Sequence, residues 1–121
     1  MLVYVYGTLK KNQCRGHVLG KSTFLGEAVT VEKYRLYHVP GGNYPALCKD
    51  GEHNIKGELY DIDASLLPVL DGIEGVAFGL YSRQTVPVKT ANGETVEAIT
   101  YFYERSTKDL TLCEDVWPVE K

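Results

Sequence analysis

The sequence predicts an α+β domain whose strands form a small barrel-like sheet. Three observations predict it. Short runs rich in Val, Tyr and Thr recur along the chain, separated by Gly, Pro and Asn. Such residues fit the pleated, half-buried surface of a strand. Only one segment, residues 64–73, spaces its apolar side chains at helical intervals. An Asn92-Gly93 pair between two strand-like runs marks a hairpin. The 121 residues, 44% hydrophobic and 24% charged, suit one domain over residues 1–121 that buries a core without staples.

Leu2-Val3-Tyr4-Val5-Tyr6 reads as a buried strand that breaks at Gly7. Residues 14–19 form a short helix or turn before Gly20. Residues 24–30 and 34–39 read as strands, followed by the turn Pro40-Gly41-Gly42-Asn43. Tyr44-Pro45-Ala46-Leu47 is irregular or an edge strand, because Pro45 has no N–H for a central ladder. Residues 51–54 form a loop and residues 55–62 a strand. In the helix over 64–73, Leu66, Leu67, Leu70 and Ile73 share one face. Asp63 or Ser65 can cap it; Pro68 is tolerated only near a helix start, which favours Ser65. Gly75 ends it. Residues 80–90 and 97–103 are the hairpin strands, and beyond Arg105 only Trp117-Pro118 carries a packing signal.

Composition excludes several function classes. A net charge of -3 and a pI near 5.6 oppose a phosphate-coating surface, so no nucleic-acid partner is expected. No stretch approaches the ~20 apolar residues of a membrane span, and the short apolar start lacks the basic region of a signal peptide. Three widely spaced cysteines, Cys14, Cys48 and Cys113, fit reduced thiols and hence a cytoplasmic location. His17, His38 and His53 lack metal-ligand spacing, and no P-loop or dinucleotide fingerprint is present. Neither metal nor cofactor is expected. The expected state is a monomer or weak homodimer acting on a small molecule.

The break at Gly7 carries the first chemical signal. A glycine there lets the backbone turn sharply and approach a ligand, and the N–H groups of Thr8 and Leu9 can then point into one hollow. Such amides hold an anion or a polarised carbonyl oxygen; the bland reading is a plain strand-ending turn.

Five motifs in series resemble the gamma-glutamyl cyclotransferase family. Tyr6-Gly7-Thr8-Leu9 resembles its signature turn, and Tyr44-Pro45-Ala46-Leu47 its mid-chain Tyr-Pro-Ala element. Gly57-Glu58-Leu59-Tyr60 resembles its Gly-Glu-hydrophobic-Tyr strand. Leu70-Asp71-Gly72-Ile73-Glu74-Gly75 resembles its helix end, and Tyr81-Ser82-Arg83 its Tyr-x-Arg strand start. The likeness runs from residue 2 to about 103, and the Val-Tyr-Gly-Thr-Leu-Lys start is most similar to the gamma-glutamylamine cyclotransferases. Ile73 departs from the aromatic residue of many relatives, and the segment 49–54 matches none of the motifs. Both bear on substrate choice.

The resemblance implies a small mixed β-barrel with flanking short helices, and an internal acyl transfer. The substrate's α-amine attacks its own γ-carbonyl, closing 5-oxoproline and releasing an amine. Neither a protein nucleophile nor a cofactor is needed. The resemblance makes Tyr6, Gly7, Thr8 and Leu9 substrate-binding, with amides for the developing oxyanion; one such donor is typically worth about 3 kcal/mol of barrier. It makes Glu74 the general base and then acid. The helix end, with Val76 and Phe78 nearby in sequence, is expected to raise its pKa. Tyr81 and Tyr103 are candidates to orient the substrate, and Arg83 to hold a carboxylate. Core packing is the competing reading for the tyrosines, as an ion pair is for Arg83. Asp71 reads as structural, bonding loop amides, and Glu58 as solvent-facing. The competing functions are a non-catalytic binding module using the same pocket and an amide hydrolase with Thr8 as nucleophile. A Cys48–His nucleophile is a weaker alternative.

Overall fold

A computed structural model describes residues 1–41 and 44–118 of the chain. Gly42 and Asn43 of the expected turn lie outside the described residues. In chain order the strands are β1 (Leu2–Val5), β2 (Thr23–Thr30), β3 (Tyr34–Val39), β4 (Tyr44–His53), β5 (Lys56–Asp61), β6 (Tyr81–Thr90), β7 (Thr95–Tyr103) and β8 (Thr111–Cys113). One α-helix, α1 (Leu67–Ile73), lies between β5 and β6, with short 3-10 turns at Gly16–Leu19, Ala64–Leu66 and Val76–Phe78. No helix among the described residues is long and apolar enough to cross a membrane.

Five strands close a barrel in the order β1-β5-β2-β6-β7, and β4-β3-β8 form a second sheet. The barrel is mixed because β1 meets β7 in parallel, at Val3 and Ile99, while its other pairings are antiparallel. The expected small mixed β-barrel with short helices is the observed architecture. Closure matters physically, since it leaves no open barrel edge to pair with another chain.

The alternation of β1 sets up two cores, because successive side chains of a strand leave it on opposite faces. Tyr4 and Tyr6 join Leu36, Leu47, Leu59, Val88, Phe102 and Trp117. Val3 and Val5 join Leu19, Ile62, Leu70, Tyr81 and Tyr101. The first core fastens the small sheet to the barrel; the second fastens α1. Polar atoms inside are paired: the Thr100 hydroxyl donates to the Tyr4 carbonyl at 2.9 Å, and the Tyr4 hydroxyl to the Ile55 carbonyl at 2.6 Å. That pairing avoids the penalty of burying a bare hydroxyl or carbonyl.

Several boundaries differ from the sequence-based expectation. β4 is indeed an edge strand, as Pro45 requires, but it continues through the expected loop at 51–54 as far as His53. A large bulge permits this: Tyr34 pairs with His53, yet the next residue, Arg35, pairs with Cys48. Asp50 takes φ 62° inside the bulge, and a Cβ on Gly51 would lie 1.8 Å from the Tyr34 carbonyl carbon. The hairpin turns with Gly93 at φ 90° and a bond from the Thr90 N–H to the Glu94 carbonyl, so β7 begins at Thr95, two residues early. The C-terminal stretch, weakly patterned in sequence, adds β8 beside β3 and buries Trp117, whose indole N–H donates to His38 Nδ1 at 3.0 Å.

The helix cap also differs. Asp63, not Ser65, is the cap: its carboxylate accepts from the Ser65 N–H at 2.9 Å. Pro68 is accommodated because the chain first makes a 3-10 turn and becomes α-helical only at Leu67, which places the proline in the first α-turn. Asp63→Ala is therefore expected to lower the unfolding free energy measurably. Ser65→Ala is expected to leave it within a few tenths. Urea unfolding of both variants checks the assignment.

Candidate functional site

The end of β1 and the end of α1 converge on one hollow of about 100 Å³. Tyr6, Gly7, Thr8 and Leu9 line it from one side, and Ile73, Glu74, Leu80 and Tyr81 from the other. That volume is small against the ~300–1,000 Å³ of sites for drug-sized ligands.

The loop after β1 is held from outside the hollow. The Lys10 N–H donates to the Gly7 carbonyl at 3.0 Å, and the Arg15 N–H to the Thr8 carbonyl at 2.8 Å. The Lys11 N–H donates to Glu58 Oε1 at 2.8 Å, and the Tyr60 hydroxyl donates to the same atom at 3.1 Å. Glu58 thus faces the loop, half-buried, rather than open solvent as expected. Among the described residues, no loop hydrogen bond is donated by the amides of Gly7, Thr8 or Leu9. Gly7 is needed for a reason the sequence did not disclose. A Cβ there would lie 2.4 Å from Pro45 Cγ, so the space serves the proline ring.

On the other side, Leu70 is fully buried and pins α1, and the Glu74 N–H donates to the Leu70 carbonyl at 2.9 Å. Gly75 follows at φ 63°, a left-handed stop that suits glycine and turns the chain away just after Glu74. Burial pushes the Glu74 carboxyl up to about 7, with the Arg15 cation pulling the other way. Among the described residues no hydrogen bond or ion pair engages its side chain. The expected desolvation by Phe78 is absent, since that ring is 82% exposed. The apolar cover comes instead from the walls of the hollow, Ile73, Leu80 and the tyrosine rings.

The other candidates divide. Tyr81 lines the hollow, and its hydroxyl donates to the Pro45 carbonyl, joining β6 to the small sheet. Tyr103 does not line it; its ring stands edge-on behind Tyr81, with centroids 5.4 Å apart. Arg83 does not line it either. Its guanidinium pairs with Asp71 at 2.8 Å, and the Tyr101 hydroxyl donates to the other oxygen of Asp71 at 2.7 Å. Arg83 and Tyr101 sit directly opposite in the β6–β7 ladder, so one carboxylate on α1 reaches both. Asp71 therefore bonds side chains of the barrel, not loop amides.

Sequence reasoning missed four lining residues that matter: Arg15, Tyr44, Pro45 and Tyr101. The Tyr-Pro pair carried a signal in its motif. Arg15 and Tyr101 carried none, because their places follow from loop path and barrel closure. Tyr101 meets the hollow beside Tyr6, whose hydroxyl donates to the Tyr101 carbonyl at 2.6 Å. Burial holds the phenols of Tyr6 and Tyr81 far above the usual range, so both stay neutral beside Glu74. Cys48 lies outside the hollow and burial raises its thiol pKa, which disfavours the thiolate a nucleophile needs. Among the described residues no group of three or more His, Cys, Asp or Glu could hold a metal ion.

Known proteins resemble this chain in sequence and in fold. A protein of Citrobacter rodentium named as a gamma-glutamylcyclotransferase family protein is 34% identical over 114 residues, 94% of this chain and 91% of its own length. A rat protein named gamma-glutamylaminecyclotransferase is 32% identical over 113 residues, covering 82% of this chain and 75% of its own. A crystallised AIG2-like protein from Mus musculus superposes with a TM-score of 0.84 at 28% identity, covering 94% of this chain and 86% of its own. Residues 3–118 match the family described as gamma-glutamyl cyclotransferase, AIG2-like. On sequence and on fold, the chain belongs to the gamma-glutamyl cyclotransferase family.

Proposed function

We propose that this protein converts a γ-glutamyl amine to 5-oxoproline and the free amine, with Glu74 as the proton carrier. One observation carries the reading: an acid and a loop whose amides donate no loop hydrogen bond among the described residues line the same small hollow, and none of those residues bonds the acid's side chain. The likeness to a rat protein named for gamma-glutamylamine supports an amine as the leaving group.

The chemistry follows from that pairing. Ionised Glu74 takes one proton from the substrate's α-ammonium. The freed nitrogen lone pair attacks the γ-carbon, forming the ring C–N bond and moving the carbonyl π electrons onto oxygen. The amides of Gly7, Thr8 and Leu9 stabilise that oxyanion. As the oxyanion collapses, the original amide C–N bond breaks and protonated Glu74 returns its proton to the leaving nitrogen; the second proton of the ring nitrogen then passes by way of the regenerated Glu74 carboxylate to the freed amine, which departs as an ammonium. No atom is gained or lost beyond substrate and products. A carboxyl titrating near 7 suits both halves, because it is neither too weak a base nor too weak an acid. The curled glutamyl chain is held by the walls of Tyr6 and Tyr81, whose hydroxyls are fixed on carbonyls of Tyr101 and Pro45.

Two outcomes are expected. Glu74→Gln lowers the rate of 5-oxoproline release from γ-glutamyl-ε-lysine by about 100-fold or more, with the fold retained by circular dichroism. Near-normal turnover in that variant removes Glu74 from the role, and release of glutamate instead of 5-oxoproline points to hydrolysis. The second outcome concerns pH. The attacking step needs Glu74 charged, so kcat/KM rises as pH rises through the folded-state pKa of about 7 and falls below it. The pH profile of initial rates checks this; a limb near the ordinary carboxylate range of ~4–5 contradicts it.

A further inference from the structure

The hollow that holds Glu74 is lined by one other charged side chain, Arg15. Arg15 stands at the far end of the loop that carries the amides, and its own N–H is tied to the Thr8 carbonyl at 2.8 Å. The anchor fixes where the side chain starts. The ion pairs among the described residues join the N-terminus to Asp61, Lys56 to Asp115, and Arg83 to Asp71. Arg15 takes part in none of them, and no side-chain hydrogen bond holds its guanidinium. Arg83, the arginine singled out from sequence, is by contrast held by Asp71 outside the hollow.

We propose that Arg15 binds the α-carboxylate of the γ-glutamyl substrate and makes the enzyme select substrates that carry it. This rests on the reading of Glu74 as the base. The α-ammonium and α-carboxylate of a glutamyl group hang from one carbon. A site that brings the ammonium to Glu74 must place the carboxylate within a few ångström of it. Among the described residues Glu74 and Arg15 line the same hollow without pairing with each other, so both remain available to a ligand. A zwitterionic head satisfies both at once. The guanidinium fork also matches a carboxylate in geometry, giving two parallel charge-assisted bonds. The residue is exposed, so an empty site leaves its cation in water at little cost.

The test compares wild type, Arg15→Gln and Arg15→Lys on three substrates: γ-glutamyl-n-butylamine, its analogue with the glutamyl α-carboxylate replaced by a carboxamide, and γ-glutamyl-ε-lysine, whose leaving amine carries a carboxylate of its own. Arg15→Gln is expected to raise KM for the first about ten-fold or more, with kcat changed much less, and to abolish the preference for α-carboxylate over α-carboxamide. Arg15→Lys retains part of that preference. Calorimetric binding of the first substrate, in Glu74→Gln with and without Arg15→Gln, gives the same comparison without turnover. An unchanged KM and affinity, or an α-carboxylate preference that survives Arg15→Gln, overturns the proposal. So does a defect confined to the substrate with a carboxylated leaving group. Failure of wild type to release 5-oxoproline strikes the reading of Glu74 alone, because the binding comparison still judges Arg15.

Discussion

A carboxyl group set into a small hollow, with no hydrogen-bond donor to it among the described residues, is the constraint on which this site depends. Burial penalises the charged form of an acid, and only a donor or a nearby cation relieves that penalty. Helix α1 and its C-cap carry two acids three residues apart, Asp71 and Glu74, in opposite surroundings. Asp71 receives Arg83 and the Tyr101 hydroxyl, so its charge is satisfied. Among the described residues Glu74 receives no such bond, and the Arg15 cation only partly offsets its burial, so its proton is held up to about 7. The satisfied acid fixes the helix on the barrel; the unsatisfied one is free to exchange a proton. Under the proposed function, environment alone divides the two carboxyls into a structural and a chemical role.

Holding that arrangement requires three elements to meet without gaps. The Pro45 ring occupies the space over the bare Cα of Gly7, and its carbonyl accepts the Tyr81 hydroxyl. One residue of the small sheet thereby braces both the amide loop and the first residue of β6. Tyr103 and Tyr44 pack on Tyr81 with ring centroids 5.4 and 6.4 Å away, which holds the wall of the hollow in place. Glu58 ties the loop from the opposite side through the Lys11 N–H. The hydroxyls of the wall are therefore bonded to carbonyls, and the rings act as a neutral, stiff lining. Under the proposed function, such preorganisation lets the amides meet a developing charge without moving at the moment of reaction.

Much of this was legible in the sequence, for identifiable reasons. β1 and β3 announced themselves by β-branched and aromatic runs, and Gly75 marked the helix end because a left-handed residue is needed there. Pro45 signalled an edge strand through its missing N–H. What stayed hidden depends on residues distant in the chain. The four-residue bulge of β4 exists because Gly51 packs on the Tyr34 backbone, which no local pattern encodes. The cap went to Asp63 because a 3-10 turn precedes the α-helix. The partners of Asp71 come from strands β6 and β7, and the position of Arg15 from a loop tied to Thr8. Family motifs brought Glu74 and the Gly7 turn to notice together, while barrel closure decided which tyrosine faces the hollow and which stands behind it.

The central claim is that the resting protein holds Glu74 protonated through the acid range. Carboxyl-carbon NMR titration of the ligand-free protein, with Glu74 identified by comparison with Glu74→Gln, measures this directly. The account predicts a midpoint near 7, well separated from the other glutamates. A midpoint in the ordinary range of ~4–5 contradicts it.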